Sequence, residues 1–402
     1  MITTINNKHN KLNVPNLRFP EFQGAWEKCI LGDITENFNL RNKDKIQYPM
    51  FSVTNDRGFV PQSEQFEGRD MVGEDIKAYK IIHTNDFAYN PARINVGSIA
   101  MYTGEKPCMI SSLYVCFKTA KEVNNEWLMQ LLKTPKMNYY YNVNGEGGVR
   151  VYLFYPNFAR IKMSIPKIEE QKKIAKLLNL LDERIATQSK IIDKLQTLIR
   201  GIMVELQKQG LKNGTWKKFI LADVLSERSE LNINLHQVFS VSVSKGVVNQ
   251  VEYLGRSFSA KDTSKYHVVH YGDIVYTKSP TGSFPYGIVK QSLNHDNVAV
   301  SPLYGVYKPK NFSTGMFLHQ YFMSEVNTLN YLHPLIQKGA KNTINITNQR
   351  FLENRVAMPI NADTLLVISQ LLRSLNYKIE YQQSLLLQYQ KQKQYLLRQM
   401  FI

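Results

Sequence analysis

The chain has 402 residues, a formal net charge of +17 and a pI of about 9.5, with 43% hydrophobic and 21% charged residues. That length exceeds one hydrophobic core, and that balance excludes a disordered chain. The excess of positive charge points to a polyanion, and nucleic acid comes before lipid because no run of about 18 apolar residues occurs.

The opening stretch, MITTINNKHNKLNVPNLRFPEF, lacks the apolar run of a signal peptide, which predicts a cytoplasmic protein. Trp26 begins the first patterned stretch, WEKCILGD. Short β-branched and aromatic runs then alternate with Gly, Pro and Asn clusters, as in KIIHTNDFAYNPARINVGSIAMY over 80–102. This predicts strands joined by turns. Cys29, Cys108 and Cys116 have neither CxxC spacing nor an even count, so they are expected to be ordinary, mostly buried residues. NNEWLMQLLKTPKMNYYY predicts one amphipathic helix. The glycines of NGEGG at 144–148 stand outside any strand–helix dinucleotide pattern, and no Walker sequence occurs.

From residue 169 a long helix is expected. Its apolar positions are Ile174, Leu178, Leu181, Ile185, Gln188, Ile192, Leu195, Ile199, Ile202 and Leu206, a heptad seam with one polar member. Gly210 and Gly214 in GLKNG suit a C-cap and linker before Trp216.

The second half then repeats the first. WKKFILAD at 216–223 matches WEKCILGD at 26–33, FSV at 239–241 matches FSV at 51–53, and YHVVHYGDIVY at 266–276 matches YKIIHTNDFAY at 79–89. VSPLYG near 300 matches ISSLYV near 110, and GMFLHQYFMSEVNTLNYL supplies the matching amphipathic helix. The C-terminal series Ile368, Leu372, Leu375, Ile379, Gln382, Leu386, Tyr389, Lys393, Leu396 and Met400 is the central seam shifted by 194, with the glutamine in the same place.

A seam this long calls for a long partner, and each helix is the other's nearest candidate. An antiparallel pairing that sets Ile174 against Met400 places Gln188 opposite Leu386 and Gln382 opposite Ile192. Each seam runs about 50 Å at about 1.5 Å per residue, a length suited to a ruler. The alternatives are packing of each helix on its own domain or pairing with a second copy of the chain. The expected architecture is α+β: two similar globular α/β domains at 1–165 and 213–360, a central helix and linker at 166–212, and a C-terminal helix at 361–402. The two long helices form an antiparallel coiled coil in a pseudo-twofold repeat. Such symmetry suits a DNA target with separated half-sites.

Together PNLRFPEFQGAWEKCILGD, DFAYNPARINVGSIAMY and IPKIEEQKKIAKLLNLLDERI resemble the DNA-specificity subunits of type I restriction-modification systems. The second copy departs from that pattern at AMPINADTLLVISQLLRSLNYKI, where the glutamate-glutamine pair is missing. The resemblance implies a non-catalytic subunit whose two target recognition domains each read half of an interrupted double-stranded DNA sequence, with the helices setting the spacer. It also implies docking of two modification subunits, which bring S-adenosylmethionine and methylate a flipped adenine. Restriction subunits using ATP and Mg2+ join that core.

Motifs for chemistry are sparse. NPAR at 90–93 lacks the aromatic that a methyltransferase stacks on a flipped base. His267 and His270 are expected on opposite faces of a strand, one in the core and one at the surface, and not as a metal pair. Direct readout uses Arg, Lys, Asn, Gln, Ser and Thr on loops that reach a groove. The candidates are Asn90, Arg93, Asn95 and Arg150 in the first copy, and Thr277, Lys278, Ser279, Lys341 and Asn342 in the second. Trp26 and Trp216 are expected as equivalent buried anchors. Two other readings compete: a two-lobed DNA methyltransferase or nuclease, which needs a cofactor motif, and a coiled-coil adaptor without sequence-selective DNA binding.

Overall fold

A computed structural model describes residues 3–4, 13–65, 76–147, 151–256, 259–338 and 344–402. The first copy contains β1 (Glu27–Ile30), β2 (Thr35–Phe38), β3 (Phe51–Thr54), β4 (Gly58–Pro61), β5 (Lys80–Ile82), β6 (Phe87–Tyr89), β7 (Ile99–Met101), β8 (Cys108–Ile110) and β9 (Val115–Thr119). Helices α1 (Asn125–Leu132), α2 (Pro135–Asn144) and α3 (Tyr155–Ala159) follow, then β10 (Lys162–Ile165) and the 45-residue α4 (Ile168–Lys212). The second copy contains β11 (Trp216–Ile220), β12 (Leu225–Glu227), β13 (Phe239–Ser242), β14 (Gly246–Asn249), β15 (His267–Val269), β16 (Ile274–Tyr276), β17 (Val289–Gln291), β18 (Val298–Val300) and β19 (Gly305–Pro309). It closes with α5 (Phe312–Tyr321), α6 (Glu325–Leu332), α7 (Asn348–Phe351), β20 (Arg355–Pro359) and the 38-residue α8 (Ala362–Gln399).

The repeat holds pairing by pairing. An antiparallel four-stranded sheet runs β2-β9-β6-β7 in the first copy and β12-β19-β16-β17 in the second. The ribbons β5·β8, β3·β4 and β1·β10 recur as β15·β18, β13·β14 and β11·β20. All three residues of β6 and of β16 are buried, as befits a strand inside a sheet covered on both faces. The turn into β6 places Asn85 at φ 73, and the Asp86 carboxylate accepts the His83 N–H at 2.8 Å. In the second copy Gly272 takes φ 90 and Asp273 accepts the His270 N–H at 2.9 Å.

The single amphipathic helix expected in each copy is two helices. Thr134 caps α2, its hydroxyl accepting the Met137 N–H at 3.2 Å, and Pro135 at the first helical position cannot continue α1. In the second copy the Ser324 hydroxyl accepts the Asn327 N–H at 3.3 Å and starts α6.

The chain divides into two compact units, Met1–Gln188 with Leu385–Ile402, and Ser189–Ser384. Within the first unit, α4 and the end of α8 share one core. Ile174, Leu178 and Leu181 cluster with Leu396, Leu397 and Met400, and Lys393 pairs with Asp182. Low sequence numbers on α4 therefore meet high numbers on α8, the antiparallel sense. Phe401 extends that core onto Trp127, with ring centroids 6.0 Å apart. In the second unit Ile192, Ile199 and Met203 of α4 and Ile368, Leu372 and Ile379 of α8 are buried. Every residue of the two expected seams is buried or half-buried.

Trp26 and Trp216 are buried at 3% and 5% exposure, as expected of anchors. Trp216 explains Gly210, which lies inside α4 and not at its cap: a Cβ there would come within 1.9 Å of the Trp216 ring. Gly214, at φ 71, makes the turn out of α4. His267 and His270 are both half-buried, so neither is the core histidine expected; His270 bonds Glu230 at 2.7 Å instead.

Candidate nucleic-acid interface

In the first unit the loop between β6 and β7 is built from inside outward. Ile94 is buried and fixes the loop's centre, while the Asn90 Oδ1 accepts the Ala92 N–H at 3.0 Å and turns the chain. The Asn90 N–H meets the Ser98 carbonyl at 3.0 Å and closes the loop, and Ser98 donates to the Val53 carbonyl at 2.7 Å. Gly97 is left-handed at φ 101, and a Cβ there would sit 3.2 Å from the Asn55 carbonyl oxygen. The hairpin tip after β3 therefore abuts this loop. Arg93 is exposed, Asn90 half-buried, and Asn95 donates to Asn142 of α2 at 3.0 Å. Leu153 reaches back to the Pro91 carbonyl at 3.0 Å, which brings exposed Tyr152 and Phe154, stacked at 6.3 Å, beside the loop.

The equivalent loop in the second unit starts at the same sheet position and is longer. Thr277 N–H meets the Ile288 carbonyl at 3.1 Å, the counterpart of the Asn90–Ser98 closure. Thr277 is buried at 3% exposure with its Oγ1 accepting the Ile288 N–H at 3.1 Å, so its side chain shapes the loop from within. Lys278 is half-buried at φ 60, against the backbone of Gly287. Burial pushes its amine below the usual lysine range, opposed by the Glu227 carboxylate. Ser279 is exposed. Arg150, Lys341 and Asn342 lie outside the described residues.

A further pair of loops carries no motif that the sequence pattern singles out. Asn42 is fully buried; its amide donates to the Ile46 carbonyl at 2.8 Å and its Oδ1 accepts the Ile46 N–H at 3.0 Å. Asn232, also fully buried, does the same to His236 at 3.2 and 2.7 Å. Lys45 and Leu235 take φ 53 and 54 at the same step. The frames are identical and the exposed tips are not: Lys43, Asp44 and Lys45 in one, Ile233, Asn234 and Leu235 in the other. The one sequence signal for them is an asparagine recurring at Asn42 and Asn232 amid unlike neighbours.

The long helices also present apolar side chains outward. On α4 Leu180, Ile191 and Leu198 are exposed, and on α8 Tyr377, Tyr381 and Tyr395. Among the described residues no three His, Cys, Asp or Glu side chains are placed to hold a metal ion, and no helix is long and apolar enough to cross a membrane. Burial pushes the Cys108 and Cys116 thiols up to about 12 and Cys29 to about 11, which keeps all three from serving as thiolates near neutral pH.

Residues 25–197 match the family model described as "Type I restriction modification DNA specificity domain". A putative type I restriction enzyme MjaX specificity subunit of Methanocaldococcus jannaschii is 23% identical over 240 residues, covering 57% of this chain and 56% of that protein. The type I restriction enzyme MjaVIII specificity subunit of the same organism is 28% identical over 223 residues, 54% of this chain and 49% of that protein. The chain thus spans about half the length of the curated relatives it matches. The crystal structure of a type I restriction-modification system S subunit from M. genitalium aligns over 97% of this chain and 99% of its own, with a TM-score of 0.60 at 11% identity. That likeness is one of fold.

Proposed function

We propose that this chain, whose residues 25–197 match the model of the type I restriction modification DNA specificity domain, is the DNA-recognition subunit of a type I restriction-modification complex and has no catalysis of its own. Its recognition domains, 1–165 and 213–360, each read one half of an interrupted target on double-stranded DNA. The observation that carries this reading is the pairing of identical scaffolds with unlike loops: β6–β7 against β16–β17, and the Asn42 loop against the Asn232 loop. One frame used twice with different exposed side chains suits two different half-sites.

Arg93, Asn90 and Asn95 serve the first half-site and Lys278 and Ser279 the second, with Arg150, Lys341 and Asn342 as further candidates. The helices at 166–212 and 361–402 set the spacer through the two seams. Their exposed apolar side chains suit docking of two modification subunits, which hold S-adenosylmethionine; restriction subunits bring ATP and Mg2+. The complex works in the cytoplasm, where its DNA is.

The test is genome-wide adenine methylation mapping in cells expressing this chain with its modification subunit, against cells lacking the chain. An asymmetric, interrupted motif that depends on the chain is the expected result. An active modification subunit that leaves no chain-dependent motif would refute the reading in favour of an adaptor.

A further inference from the structure

Unlike loops serve what differs between half-sites; what the two copies share at the same end of the strands calls for a shared partner. Two such features recur with the same backbone bonding. The turn after β8 (Ser111, Ser112, Leu113, Tyr114) and the turn after β18 (Ser301, Pro302, Leu303, Tyr304) carry the same bonds. The serine Oγ accepts the leucine N–H at 3.4 and 3.3 Å, and the tyrosine N–H donates to the serine carbonyl at 3.2 and 2.9 Å. The tyrosine carbonyl accepts from Lys80 Nζ at 2.6 Å in one copy and lies 3.3 Å from His267 Nδ1 in the other. Both tyrosines pack inward against the β3–β4 or β13–β14 side, and both leucines stay out, Leu113 at 77% and Leu303 at 72% exposure.

The second feature is the neighbouring hairpin tip. Arg57 N–H donates to Thr54 Oγ1 at 3.1 Å and Lys245 N–H to Ser242 Oγ at 3.4 Å, and each cation precedes a left-handed glycine, Gly58 at φ 67 and Gly246 at φ 74. In the first unit Tyr114 links the two features, its hydroxyl accepting the Val53 N–H at 3.2 Å.

A single exposed leucine is ordinary, but the same turn holding the same aliphatic side chain in water in both copies suits a contact that both copies make. In both copies a parallel bridge, Met50 with Met109 and Val238 with Ala299, puts the cationic hairpin tip at the same strand end as the leucine turn, which narrows the partner to one that offers anionic and apolar surface together. The sugar–phosphate backbone is both, and it is the same in every half-site. We infer that Leu113 with Arg57, and Leu303 with Lys245, form a sequence-independent grip on duplex DNA, each cation on a phosphate oxygen and each leucine on a deoxyribose face. This rests on the DNA-reading function proposed above. The present neighbours yield easily: Arg57 lies 3.9 Å from Glu64, both exposed, and Lys245 stands 5.6 Å over the Tyr253 ring.

The full chain, purified with its modification subunit, is titrated across a salt series onto a duplex carrying the mapped motif and onto a scrambled one. Selective binding by the wild type is scored first, and its absence would overturn the DNA-reading function itself. Given that binding, Leu113→Ser with Leu303→Ser lowers affinity on the order of tenfold on both duplexes alike. Leu113→Met with Leu303→Met retains affinity, which separates the apolar contact from a folding defect. Arg57→Gln with Lys245→Gln reduces the slope of log K against log salt by about two. The methylated motif is unchanged in every variant. Unaltered affinity and slope would overturn the grip, as would a motif altered in one half, which would make these residues base readers. Intact DNA binding with loss of the modification subunit would instead assign the leucines to a protein contact.

Discussion

Glu170, exposed by 2%, accepts from Arg18 Nε and Nη2 at 2.8 and 2.7 Å and from Trp26 Nε1 at 3.3 Å. Beside it Gln171 accepts the Asn124 N–H at 2.8 Å and donates to the Pro166 carbonyl at 2.9 Å. The glutamate-glutamine pair thus bolts the N-terminal segment and the start of α1 to α4. A buried charge is tolerable there only because it is paired and fully bonded. At the matching positions the second copy has Thr364 and Leu365, and its junction is held by Leu365 burial, by the pairing of Trp216 with Pro359 and by the Ile360 N–H on the Thr215 carbonyl at 3.0 Å. Lys290 of β17 is the opposite case, buried at 2% exposure with Nζ against the Met323 sulfur. Burial lowers its amine to about 8, and His319 beside it is held down to about 3 by burial and by Lys290. Between pH 8 and the ordinary lysine value near 10.4 the unfolded chain binds the extra proton, so stability of the second unit rises with pH through that window and is lowest below it. Lys290→Met is expected to stabilise the second unit by about 3 kcal/mol at pH 7 and to abolish the rise. Urea unfolding at pH 7 and pH 10 measures both; a wild-type stability that is flat between them would contradict an unpaired buried amine.

At the scale of elements, the loops are separable from the frame that carries them. Asn90–Ser98 is closed by one backbone bond and centred by Ile94, so outward residues can change while the closure stays. Exchanging Arg93 and Asn95 for the residues of an unrelated recognition domain, with Asn90, Ile94 and Gly97 kept, is expected to alter one half of the methylated motif and leave the other intact. Methylation sequencing reads this directly, and a change in both halves would mean that the domains are not independent readers. Replacing Gly97 in the same loop would test nothing about reading, because its φ of 101 and the Asn55 backbone leave no room for a Cβ. The split of the expected single helix into α1 and α2 belongs to this scale too. Thr134-Pro135 is a local stop signal that outweighs a continuous apolar pattern, and it lets α2 turn to give Asn142 to the loop.

For the whole molecule, the proposed spacer role of the helices turns on their length. The seams of α4 and α8 repeat every seven residues, so one heptad added to both, after Gln188 and after Ser384, keeps the packing phase of each unit. With such a chain the modification subunit is expected to methylate the same two half-sites with a spacer about three base pairs longer, from about 1.5 Å per helical residue and about 3.4 Å per base pair. Mapped motifs with an unchanged spacer would refute the ruler. The sequence alone determined the doubled architecture, both seams and the two tryptophan anchors, because repeats and heptads are written in spacing, and spacing survives without coordinates. It determined the loop β6–β7 as a candidate through its turn residues. Tertiary structure alone decided that Thr277 turns inward, that Phe401 packs against Trp127 in the core of the first unit, and that Asn42 and Asn232 frame matching loops. Each of these is a contact between residues far apart in the chain, or a choice of which face a side chain takes, and neither is carried by local pattern.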